Sequence, residues 1–227
     1  MKRFLVSATV SLALAACAGG SQTFPGMALK PTANPSAVIA AELGFARLAQ
    51  DKGQWAAFRA TAADEAEMFV PQRVKAADWL KGRAEPAVSV KWQPHAIWSS
   101  CDGSYAVTRG SWQSPTGAGH YATVWQRQTN GTYKWVADMN LASAQADPAP
   151  EMVVAAVADC PKAGAKPIAV APFVDIDPAD LKTAAATDQT LSWSTAARPD
   201  GTREIRVRLW KDGNWQDVYT DSSGAKR

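Results

Sequence analysis

The chain has little of what most catalytic sites are made from. Its 227 residues include only two histidines and three cysteines, too few histidines for a histidine-rich metal site. A phosphate-binding glycine loop, HExxH, CxxC and GxSxG are all absent, which removes the strongly signalled enzyme classes. The formal charge is only +3, which excludes a polybasic nucleic-acid binder and an acidic disordered chain. Glycine and proline, 15 and 14 residues, fall below the roughly 25–30% of a low-complexity chain. Hydrophobic residues make up 47%, and a chain of this length builds a core without metal or disulfide staples. No cofactor and no metal are expected.

What is present begins with an address. Lys2 and Arg3 precede an apolar run from Phe4 to Ala16. That run is shorter than the about 20 residues needed to span a bilayer and fits the h-region of a secretory signal. It ends in Leu14-Ala15-Ala16-Cys17, which resembles the lipobox of bacterial lipoproteins. The resemblance implies that the Cys17 thiol receives a diacylglyceryl group and becomes the acylated N-terminus after cleavage. The alternative is an ordinary signal peptide cut near Ala15 or Ala16, with Cys17 a bystander. One acyl chain holds a protein only marginally, at about 0.8 kcal/mol per buried methylene, whereas two or three anchor it stably. Residue 18 is alanine rather than aspartate, which by the same resemblance points to the periplasmic face of the outer membrane. The membrane, reached through Cys17, is thus one expected partner and nucleic acid is not; oligomeric state is not legible. Once Cys17 is assigned to lipid, Cys101 and Cys160 remain as an even pair. A bridge between them would close a loop of about 60 residues, worth ~4 kcal/mol in the chain-entropy model. Two buried free thiols are the alternative.

The rest divides by composition. Residues 1–16 are the signal and 17–34, with Gly19, Gly20, Pro25 and Pro31, a flexible tether. Asn34-Pro35 starts a helix in which Val38, Glu42, Phe45 and Ala49 recur at helical spacing. A short helix with Trp55 and Phe58, a strand from Ala66 to Val70, and a third helix with Val74, Ala77 and Leu80 follow. The pattern then changes to period two over Val88–Ser99, Tyr105–Gln113, His120–Gln128 and Tyr133–Met139. Asp102-Gly103 and Asn130-Gly131 mark hairpins. Residues 142–189 read as linker with short elements, including an apolar run Met152–Cys160 and a short helix from Asp177-Pro178 to about Ala186. Residues 190–227 read as a three-stranded meander turned at Asp200-Gly201 and Asp212-Gly213. The fold class is α+β: three helices on a curved antiparallel sheet, plus the meander.

Over about residues 35–141 this order resembles the nuclear transport factor 2-like superfamily, in its SnoaL-like and uncharacterised bacterial branches. The residues that carry it are the helix with Phe45, the segment Asp64 to Pro71, Trp79 to Arg83, and the hairpin from Thr123-Val124-Trp125 through Asn130-Gly131 to Trp135-Val136. The resemblance implies a cone whose open end makes a pocket. It also implies an acid beside the proline that ends the first strand, a tyrosine and a second acid in ketosteroid-isomerase-like members. Here those positions fall at Val70, near Phe45 and near Thr123, so the isomerase roles are vacant.

Dehydratase-like members use a histidine and an aspartate, and His95 with Asp138 is the matching pair. On strict alternation His95 shares a polar face with Lys91, Gln93 and Ile97, opposite Trp92 and Trp98, and Asp138 shares a face with Lys134. Both also fit solvated strand positions. Trp55, Phe58, Trp79, Trp98 and Trp125 are the candidates for an aromatic-lined ligand pocket, with core packing as the alternative. The acids Asp175, Asp177 and Asp180 lack calcium-loop spacing and read as helix-capping. Arg206 and Arg208 read as the wet face of a strand. The sequence therefore leads to an envelope lipoprotein whose cone binds a small apolar ligand or an envelope protein, without catalysis. The alternative is a lyase or isomerase using His95 and Asp138.

Overall fold

A seven-stranded sheet is covered on one face by three helices and on the other by a four-stranded sheet in the computed structural model, which describes residues 32–174 and 180–223. The signal, Cys17, all but the end of the tether, Asp175 and Asp177 lie outside the described residues.

Helix α1 (Pro35–Lys52) starts where the sequence places it. The Asn34 side-chain oxygen accepts from the Ala37 N–H at 3.1 Å, and Pro35 occupies the first turn, where its missing donor is harmless. Val38, Glu42, Phe45 and Ala49 are its buried face. Gly53 turns the chain at φ +105°, and the Glu85 carboxylate accepts from the Trp55 and Ala56 N–H groups at 2.7 and 2.8 Å. Those orphan donors at the start of α2 (Gln54–Thr61) are thereby satisfied by a residue far along the chain. A five-residue α3 (Ala76–Leu80) completes the helical layer.

The first sheet runs β2-β1-β6-β5-β4-β3-β7. Its strands are β1 (Ala62–Phe69), β2 (Arg73–Lys75), β3 (Lys91–Ser99), β4 (Tyr105–Ser114), β5 (Gly117–Arg127), β6 (Tyr133–Ser143) and β7 (Val154–Val157). Pairing is antiparallel except for β1 with β6 and β3 with β7. The second sheet runs β11-β10-β9-β8, all antiparallel, from β8 (Leu181–Ala185), β9 (Leu191–Ala197), β10 (Arg203–Lys211) and β11 (Asn214–Ser223). Residues 181–185 therefore correct the expected helix. Their backbone pairs with β9, and cross-strand hydrogen bonding outweighs the helical leaning of an alanine-rich stretch. The C-terminal sheet accordingly has four strands where the sequence suggested three.

Alternation sorts the core into two. Trp125, Trp135, Ile97 and Met68 face the helices and pack on Val38, Phe45, Phe58 and Leu80. Val107, Val124, Ala137 and Met139 face the second sheet and meet Leu191, Trp193, Ile205 and Val207. β-bulges in β3 and β6 break the alternation at the site. In β3, Pro94 pairs with Gly110 and Ala96 with Arg109, leaving His95 extra. In β6, Ala137 pairs with Val124 and Trp135 with Trp125, leaving Val136 extra. Each bulge moves the residues beyond it to the opposite face. Cys101, after β3, is joined by a disulfide to Cys160, after β7, with Cα atoms 5.2 Å apart.

Candidate functional site

The helical layer and the first sheet leave a cavity of about 180 Å³ between them. Phe45 of α1 and Phe58 of α2 form its roof, and Gln54 and Val90 stand at its side. From the sheet, Trp92 and Trp112 supply aromatic walls, while Tyr121, Asp138 and Asn140 supply polar groups.

Their shared face follows from register. Thr108 on β4, Thr123 on β5 and Asp138 on β6 are direct cross-strand partners. The next row two residues on is Gly110, Tyr121 and Asn140, and the one after that is Trp112 and Gly119. Glycine is required in both outer rows. A Cβ on Gly110 would overlap the Gln93 carbonyl oxygen and come within 2.7 Å of the Tyr121 ring; one on Gly119 would overlap the Leu141 carbonyl oxygen and come within 2.8 Å of the Trp112 indole. The two rings therefore lie against bare backbone.

Glu42 sits behind this wall in the middle of the apolar stripe of α1, fully buried. Its Oε1 accepts from the Trp92 indole N–H at 2.8 Å. Its Oε2 accepts from the Thr108 hydroxyl at 2.5 Å and from the Trp125 indole N–H at 3.0 Å. Burial pushes its pKa up, and these three donors, with the nearby Tyr121 hydroxyl, pull it back part of the way. Asp138, only 3% exposed, accepts from the Thr123 hydroxyl at 2.8 Å and the Asn140 amide at 2.9 Å. Burial, with the nearby Glu42 charge adding to it, raises the Asp138 carboxyl to about 7. The Tyr121 hydroxyl is buried close to the Glu42 carboxylate, without a well-formed hydrogen bond. Desolvation, then the charges of Glu42 and Asp138, hold its pKa well above the usual phenol range.

The structure does not bring His95 and Asp138 together. His95 belongs to the other face, where its Nδ1 lies 3.2 Å from the Arg109 guanidinium. Arg109 also reaches Asp147 at 3.2 Å, and His120 lies 3.3 Å from both Asp147 and Asp221. Burial, then Arg109, holds the His95 pKa below its ordinary value. Strict alternation misplaced both residues because each strand is bulged. Trp92 and Trp98 consequently lie on opposite faces, and Asp138 is parted from Lys134 and turned toward the helices.

Of the five expected pocket aromatics, only Phe58 lines the cavity. Trp55 and Trp79 pack edge to face at 5.0 Å, and Trp79 carries the Arg83 guanidinium over its ring. Trp98 stacks on Tyr219 of β11, 5.1 Å away, on the second-sheet side. Trp125 is fully buried behind the wall. The sequence reading missed Glu42 and Tyr121 as polar groups of the site. Glu42 had a signal, an acid inside an apolar helical stripe; Tyr121 had one in its alternation with Thr123 and Trp125. Arg208 is less open than expected: it contacts Asp217 at 2.5 Å and lies over the Phe173 ring. Among the described residues no group of three or more metal-ligating side chains converges, and no helix is long and apolar enough to cross a membrane.

No protein-family model matches the chain, and no curated protein matches it. Among solved structures it is similar to a putative ketosteroid isomerase from Kribbella flavida, with 14% identity, a TM-score of 0.35, and coverage of 51% of this chain and 84% of that one. It is also similar to an NTF-2-like protein of unknown function from Burkholderia xenovorans, with 18% identity, a TM-score of 0.33, and coverage of 52% and 90%. Both likenesses are too weak to carry an argument about activity.

Proposed function

We propose that this chain is an envelope lipoprotein whose helix-capped sheet, a cone of nuclear transport factor 2-like build, binds a small and largely apolar ligand without transforming it. The observation that supports this reading is the cavity itself. At about 180 Å³ it is slightly larger than the engineered 150 Å³ cavity that takes up benzene, so it fits a ligand of one ring. Aromatic walls with a few convergent polar groups are the usual composition of such sites. Binding is favoured over catalysis because the acid at the wall, Asp138, has its possible imidazole partners His95 and His120 on the far face of the sheet. General acid–base work needs both groups within reach of one substrate.

Two measurements test the proposal. Titrating the purified full chain with single-ring compounds, followed by the emission of the wall tryptophans, is expected to give saturable binding that a two-ring homologue does not show. Linear, unsaturable quenching for every probe would end the ligand reading. For the anchor, mass spectrometry of the membrane-derived protein is expected to find acyl chains on Cys17, and Cys17→Ser to release the chain from the membrane fraction. An unmodified Cys17 thiol in that preparation would overturn it.

A further inference from the structure

We infer that the ligand is a small organic cation, an amine carried on a single ring, with its ammonium against Asp138, Tyr121 and Asn140 and its ring on the aromatic side of the cavity, lined by Phe45, Phe58 and Trp92. The inference rests on the ligand-binding reading and names the class of ligand.

Charge is the first ground. Glu42 and Asp138 are both buried on the helix-facing side of the sheet. The cationic side chains nearest to them in register, Arg109 and the histidines, belong to the other face. No lysine, arginine or histidine lines the cavity. The site therefore holds buried acid with no resident base, an arrangement whose desolvation an incoming cation offsets.

Hydrogen-bond capacity is the second. The indole and threonine donors around the cavity are already engaged. The Trp92 and Trp125 indoles and the Thr108 hydroxyl serve Glu42, the Trp112 indole donates to the His120 carbonyl at 2.9 Å, and the Thr123 hydroxyl serves Asp138. Three donors already serve Glu42. Asp138 accepts only one on each oxygen, Asn140 keeps its carbonyl and one N–H, and the Tyr121 oxygen is buried without a well-formed partner. Three oxygens with acceptor capacity thus converge at the cavity, and an ammonium is a donor on every N–H.

The walls supply the third ground. Indole and phenol faces carry negative quadrupole potential and attract a cation within about 6 Å. The titratable groups facing Asp138 are Glu42 from α1 and Tyr121 from β5; α2 contributes Gln54, β4 Thr108 and Trp112, and β1 Met68.

The test is calorimetric titration of the full chain at pH 6 with benzylamine and with benzyl alcohol, close in size and differing in charge. Benzylamine is expected to bind at least tenfold more tightly. Because the Asp138 carboxyl titrates at about 7, it starts protonated at pH 6. Its ionisation on amine binding should release close to one proton per ligand, read from the enthalpy in buffers of different ionisation heat. Asp138→Asn should weaken benzylamine at least tenfold more than it weakens benzyl alcohol. If benzyl alcohol binds as well as the amine, the cation inference is wrong and the ligand reading survives. If neither compound binds, the ligand reading falls and the inference with it.

Discussion

Asp138 titrates in a direction that makes the folded protein weaker as pH rises. Its folded value of about 7 lies above the ordinary aspartate value of 3.8, so between those limits the native state holds more protons than the unfolded chain. Stability from this group is complete below about pH 4, declines as pH rises toward 7, and is level above that. The raised Glu42 carboxyl acts in the same direction. His95, lowered by burial and Arg109, acts oppositely: the unfolded chain holds its proton more tightly, so stability falls as pH drops below about 6.5. Asp138→Asn is therefore expected to flatten the decline of the urea midpoint between pH 4 and 7 relative to the parent chain. An unchanged profile would show that Asp138 is not the group responsible. Glu42 makes a different prediction. Glu42→Gln keeps one acceptor and turns an amide N–H toward an indole or hydroxyl donor, which should cost about 1–3 kcal/mol. Glu42→Leu orphans the Trp92 indole, leaves Trp125 only its bond to Thr108 at 3.1 Å and should cost more, read from chemical denaturation of both variants. Equal losses would mean that the side chain's volume matters there and its oxygens do not.

Strands and helices were largely legible, because their ends carry local chemistry. The Asn34-Pro35 start of α1 and the Asp-Gly and Asn-Gly turns at Gly103, Gly131, Gly201 and Gly213, all at positive φ, are properties of a few neighbouring residues. The bulges at His95 and Val136 were not legible, since an extra residue is visible only against its partner strand. That single kind of event misplaced both members of the expected catalytic pair and separated Trp98 from the pocket. Residues 181–185 show the same limit, being a strand only because β9 is beside them. The pocket's glycines also depend on cross-strand neighbours. Gly119→Ala must displace the Trp112 ring or the Leu141 backbone, and backbone overlap of this kind belongs to the mechanisms that destabilise by more than about 2 kcal/mol. We expect Gly119→Ala to lower the melting temperature and to shift the tryptophan emission. The exposed Gly131, with open space around it, meets only its positive φ, and its alanine variant should lose about 1 kcal/mol. A Gly119→Ala chain as stable as its parent would show that the strands can part there at no cost.

At the scale of the molecule, the two sheets are joined by chemistry gathered near the disulfide. The Cys101 N–H donates to Thr190 at 2.9 Å, and Asp159, beside Cys160, accepts from Lys211 and from the Asp212 N–H. The bridge spans a sequence separation of 59, so the Cys101→Ser/Cys160→Ser double variant should lose about 4 kcal/mol on the chain-entropy account. A loss below 1 kcal/mol would mean that the unfolded chain stays compact near these residues without the bond. The second sheet also has a place in time. β1 through β6 can pair once Ser143 has been synthesised, but Leu191, Trp193, Ile205 and Val207, which cover their outer face, come later in the chain. Until those later strands are in place, Val107, Val124 and Met139 have no cover on that face. The hazard for this protein is thus a brief interval during its making, when a half-built sheet waits for its own cover and any other exposed strand can arrive first.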